Sequence, residues 1–85
     1  MKTAHTIVWE VMEEIAKLRG VSPSRLAVTA GLDATAFNPS KRLANGGHPR
    51  FPSFTTILAV LKVTGMNWYD FANLWTQKQS EKSKK

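Results

Sequence analysis

The chain contains no cysteine. A disulfide staple and a thiolate zinc site are both excluded, and the composition fits a reducing compartment. No apolar run approaches the ~18–20 residues that a bilayer-spanning helix requires. The opening "MKTAHTIVWEVMEEI" interrupts its apolar stretch with acidic residues and offers no small-residue cleavage site, so it does not read as a signal peptide. Strand signals are missing as well, because no stretch alternates apolar and polar residues for long beside a hairpin turn. These absences predict a soluble, cytoplasmic, all-α chain with no membrane partner.

Chemistry-bearing clusters are equally scarce. His5 and His48 lack partners at metal-ligand spacing. No pair of carboxylates stands beside a histidine as acid–base chemistry requires; Glu13 and Glu14, near His5, read as a solvated helix face. Gly46-Gly47 lacks the lysine and the preceding strand of a phosphate-cradling loop. The expectation is a protein that is not an enzyme, with no metal, no cofactor and no evident small-molecule ligand.

Acidic residues are few, six against twelve Lys+Arg, for a net charge of +6 at pH 7. Their placement matters more than their number. Glu10, Glu13 and Glu14 gather near the start, whereas Lys17, Arg19, Arg25, Lys41, Arg42, Arg50 and Lys62 run through the middle with Asp33 as the only acid among them. A one-sided basic stretch suits a polyanionic partner, although charge alone serves solubility equally well.

At 85 residues the chain makes one small domain. A chain of this size buries only ~60–65% of its unfolded surface, so its core must be compact. Apolar spacing predicts five short helices. Val8, Val11, Met12, Ile15 and Leu18 place the first at roughly 4–19, ended by Gly20. Ser22 and Pro23 open the second as N-cap and first helical residue; Leu26, Ala27 and Ala30 face one way, and Gly31 allows a sharp exit. Asp33 caps a third helix anchored by Phe37. Ser53 opens the fourth, with Phe54, Ile57, Leu58 and Leu61 on one face and Gly65 as its stop. Asn67 opens the fifth, with Asp70 three residues on and Trp68, Phe71, Ala72 and Trp75 in register. The domain is placed at 1–76, and 77–85 is expected to be a disordered basic tail or linker.

Pro39 interrupts the third helix. It has no N–H for the Thr35 carbonyl and crowds that group, at about 3 kcal/mol. It also pushes Asn38 out of α geometry. A break is expected, with a short helix at 34–37 and a new turn from Pro39; a kinked continuous helix is the alternative. Phe51 is expected to plug the core. Trp9, Trp68 and Trp75 are read mostly as core, with one on the fifth helix available for a dimer face.

Helices two and three, joined by the tight glycine turn, have the spacing of a helix-turn-helix, with the small Ala27 and Ala30 where the pair would cross. Residues 11–74 resemble the DNA-binding domain of the Cro/lambda-repressor (XRE) family, and most of all the N-terminal domains of phage-type repressors that carry a LexA-like self-cleaving domain. The likeness rests on "SRLAVTAGLDATAFN" and on "PSFTTILAVLKVTGMNWYDF". Two features depart from the family pattern. Phe37 and Ser40 stand where a branched aliphatic and an apolar residue are usual, and the path from Leu32 to Pro52 is several residues longer. No self-cleaving domain is present, so proteolytic induction is not expected of this chain.

The resemblance implies a five-helix lambda-repressor-like domain in a bacterial or phage-encoded transcriptional regulator, usually a repressor. It would bind double-stranded DNA with the third helix in the major groove, with a homodimer as its possible form. Base edges would be met by Ala34, Thr35 and Asn38, with Asn38 equally suited to capping. Ser40, Lys41 and Arg42 would lie along the groove or its phosphate wall, and either guanine or phosphate fits Arg42. Ser22, Ser24 and Arg25 would hold phosphate, with ordinary capping as the other role of Ser22. His48 and Arg50 would touch the DNA backbone or belong to a flexible loop. The rival function is a protein-interaction module, antitoxin-like or a phage adaptor, on the same fold.

Overall fold

A computed structural model describes residues 2–81 as an all-helical domain with four α-helices: α1 (Ala4–Leu18), α2 (Pro23–Thr29), α3 (Phe54–Thr64) and α4 (Trp68–Ser80). Two 3-10 turns, Pro39–Lys41 and Asn45–Gly47, lie between α2 and α3. Among the described residues there is no strand, only an isolated antiparallel bridge between Leu43 and Pro49. None of these helices is long and apolar enough to cross a membrane.

α1 supplies most of the core. Val11, Met12 and Ile15 are fully enclosed, and Ile7, Val8, Trp9 and Ala16 are buried beside them. α4 packs along α1, and α2 closes its far end through Leu26 and Ala27. α3 adds Val60 and Leu61. Burying side chains of this size stabilises the fold by about 1.5–3 kcal/mol each. Leu18, at the last position of α1, runs past this cover and is 59% exposed despite its register with Ile15.

Local chemistry sets the helix ends. Thr3, Ser22 and Ser53 each accept a backbone N–H three residues on, at 3.1 Å, and so begin α1, α2 and α3. Asn67 and Asp70 form a reciprocal capping box at α4, both bonds at 2.9 Å. Gly65 ends α3 at φ 73°, while the Met66 N–H returns to the Leu61 carbonyl at 2.9 Å.

Three expectations are corrected. The fifth helix, expected third in order, does not form. The Asp33 carboxylate accepts from both the amide and the hydroxyl of Thr35, at 2.8 and 2.7 Å. One winding follows, with Ala36 N–H donating to the Asp33 carbonyl and Asn38 N–H to the Thr35 carbonyl. Asn38 then turns extended (φ −65°, ψ 148°) before Pro39. Between cap and proline too few residues remain to repay helix nucleation, so the segment stops at i→i+3 turns. Pro39 therefore does break the chain's path, and the helix before it is reduced to a turn. Phe37 nevertheless reaches the core, 2% exposed, edge-on to Trp9.

Phe51 does not plug the core; it is 52% exposed and packs at a steep angle to the His5 ring, ring centroids 5.5 Å apart. α4 continues through Ser80, past the expected start of the tail at Gln77, because Lys78 reaches back to Glu14 on α1 at 3.1 Å. The rest of that tail, 82–85, lies outside the described residues. Of the tryptophans, Trp9 is core and Trp75 packs on it, whereas Trp68 stacks on Phe54 at the surface.

Candidate nucleic-acid interface

The segment between α2 and α3 carries most of the residues of interest, and two side chains of α1 pin it. The His5 Nε2–H donates to the Arg42 carbonyl at 2.7 Å, which also accepts the Arg50 N–H at 2.9 Å. The Trp9 indole N–H donates to the Arg50 carbonyl at 3.0 Å. Between these pins the chain makes a tight loop, closed by the Ala44 N–H on the His48 carbonyl at 2.7 Å. Gly46 turns it at φ 84°, a conformation open to glycine at little cost.

Lys41 and Arg42, adjacent in sequence, part in space. Lys41 is exposed. Arg42 folds inward, its guanidinium 5.1 Å from the centre of the Trp9 ring. One of its terminal nitrogens donates to Glu13 at 2.7 Å and to the Phe37 carbonyl at 3.2 Å. Its side chain is only 19% exposed, and its Nε is enclosed without a partner. Arg42, expected along the groove or its phosphate wall, instead ties the segment to α1.

The other expected contacts fall into two neighbourhoods. Ser22, Ser24, Arg25 and Ala34 border one shallow surface depression. The Ser22 hydroxyl oxygen serves as cap acceptor there. Lys41 and Arg50 border a separate cleft of about 300 Å³ with Asp33, Phe51 and Ser53. Thr35 is exposed on the turn between them, with its hydroxyl hydrogen engaged by Asp33. Those two bonds from Thr35 hold the Asp33 carboxyl below its ordinary range. Asn38 occupies the cap position of the following turn, but its side chain makes no capping bond. Ser40 and His48 are exposed, His48 at the closing end of the loop.

The charges are sorted. Glu10, Glu13, Glu14 and Glu81 pair with Lys2, Arg42 and Lys78. The Asp33 and Asp70 carboxylates accept backbone N–H groups in their turns. Four of the six acids are thus in ion pairs, while Asp33 and Asp70 keep their charge within hydrogen-bonded turns. Among the described residues Lys17, Arg19, Arg25, Lys41, Arg50 and Lys62 have no carboxylate partner. The hydrogen bond to Glu10, helped by one to Glu81, raises the Lys2 pKa; at Lys78 burial works downward but the bonds to Glu14 and Glu81 outweigh it.

The anchors His5 and Trp9 were not recognisable from sequence. Their partners lie 37 and 41 residues away, beyond any helical period. No protein-family model, no curated protein and no solved structure matches this chain.

Proposed function

We propose that this chain is a double-stranded DNA-binding transcriptional regulator that acts by occupying its site. The observation that carries the reading is the charge sorting: four of the six acids are held in ion pairs, and among the described residues Arg25, Lys41 and Arg50 have no carboxylate partner and border the depressions on either side of the turn at 33–38. Of the stretch "SRLAVTAGLDATAFN" that resembles repressor domains, the first part lies in α2, and the part after Asp33 is a turn in place of their second helix.

The turn takes the place of a reading helix. Arg25, Lys41 and Arg50 neutralise phosphates and set the register. Ser24 adds a hydroxyl donor beside Arg25. Thr35, whose hydroxyl hydrogen is held by Asp33, meets a base as an acceptor. Its complements in the major groove are the amino groups of adenine and cytosine, and its methyl group suits thymine. Ala34 offers a second methyl contact. The uncommitted amide of Asn38 is free to pair with adenine.

Selection of bound sites from random duplex DNA tests this reading. Enrichment of a short defined motif is expected; recovery of no bound duplex at low salt would refute it. A second reading, a protein-interaction module, is favoured by one feature: the stacked Phe54–Trp68 pair, ring centroids 5.2 Å apart, beside Tyr69, which is 83% exposed. On that reading Tyr69→Ala abolishes capture of a protein partner and DNA selection yields nothing.

A further inference from the structure

We infer that the cleft bordered by Lys41 and Arg50 is a binding site for a small aromatic anion, a flat ring system bearing one carboxylate or phosphate group. Its volume, about 300 Å³, lies at the lower end of small-molecule pockets. The inner end is lined by Trp9 and Phe37, packed edge to face with ring centroids 6.3 Å apart. Trp9 and Phe37 are only 4% and 2% exposed, with the Arg42 guanidinium over the Trp9 ring, so they form the floor of the cleft, and the apolar surface open to a ligand is chiefly that of Phe51. Phe51 lines the cleft from the side with about half its surface exposed, and a bound ring would cover it.

The mouth selects for negative charge. Lys41 and Arg50 are exposed and have no carboxylate partner among the described residues. The single acid at the cleft, Asp33, stays ionised, with one carboxylate oxygen accepting twice from Thr35 and Lys41 near enough to lower its pKa, so two cations face one carboxylate and the cleft keeps a net positive charge. An anion there gains two charge-assisted hydrogen bonds while its ring covers apolar surface that water now wets. The site lies apart from the depression at Ser22, Arg25 and Ala34, but it uses two of the cations assigned to DNA phosphates. A bound anion would therefore compete with DNA; that consequence rests on the DNA reading, whereas anion binding itself does not.

The experiment follows the three tryptophan indole N–H resonances of the full chain, without DNA, during titration with naphthoate, uncharged naphthamide and inorganic phosphate. Saturable movement of the Trp9 resonance by naphthoate is expected, with naphthamide and phosphate each binding at least about tenfold more weakly. The double variant Lys41→Ala/Arg50→Ala should lose that difference between naphthoate and naphthamide, and Lys62→Ala, the same kind of charge loss away from the cleft, should keep it. Equal binding of naphthoate and naphthamide would overturn the inference. So would movement confined to the Trp68 resonance, loss of selectivity in Lys62→Ala, or no saturable binding.

Discussion

The guanidinium of Arg42 bridges three parts of the molecule: the Trp9 ring, the Glu13 carboxylate and the Phe37 carbonyl. Removing it deletes a cation–π contact and two hydrogen bonds at a partly buried site. Arg42→Ala should lower the unfolding free energy by about 2 kcal/mol, while Lys41→Ala should change it by less than about 0.5 kcal/mol. Chemical denaturation measures both, and the reverse order would show that Arg42 is not a tether. Asp33 gives a pH-dependent counterpart. Its folded pKa lies below the unfolded value of 3.8, because Thr35 donates two hydrogen bonds to the carboxylate. Its contribution is therefore present above that pH and is lost as pH falls through the lower, folded value. Asp33→Asn keeps an acceptor oxygen for Thr35 but removes the titration, so the acid limb of the stability profile should flatten below about pH 4. An unchanged acid limb would remove Asp33 from the acid response.

At the scale of elements, the caps carry much of the definition. Asn67→Ala removes the acceptor for the Asp70 N–H and should cost about 1 kcal/mol, read as a shift in thermal or chemical unfolding with the fold retained. A shift within error would mean that packing of α4 on α1 alone fixes that helix start. The same caps explain which elements were legible in the sequence. Ser22, Ser53, Asn67 with Asp70, and Gly65 act within a few residues of themselves, so their spacing is a direct signal. The segment after Asp33 carried the same kind of cap and a large apolar anchor, yet it is no helix. Two local effects compete there, an N-cap that starts a helix and a proline that forbids its sixth residue, and the remaining length decides between them. The end of α4 was illegible for a different reason. Its last turns are polar, and the ion pairs of Lys78 and Glu81 with α1 and Lys2 depend on the tertiary fold.

For the whole molecule, the basic middle was visible in the sequence, but the division of labour within it was not. Lys41 and Arg42 are indistinguishable by charge and position; Glu13, 29 residues earlier, decides that one faces inward. Among the described residues the folded chain then presents Arg25, Lys41 and Arg50 without carboxylate partners around a short turn. In a DNA complex these positions differ in kind from Thr35. Arg25→Ala should weaken binding to all duplexes alike, whereas Thr35→Ala should alter which sequences are preferred, as compared by site selection with each variant. Equal loss at every site for both variants would reject the turn as the base-reading element.

DNA binding through these unpaired cations is tested most directly by titrating the chain with duplex DNA across a series of salt concentrations. Affinity should fall steeply as salt rises, with log K losing about 0.9 per decade of salt for each phosphate neutralised, and Lys41→Ala and Arg50→Ala should each reduce that slope by about 1. Absence of binding at low salt, or an affinity indifferent to salt and to both substitutions, would contradict it.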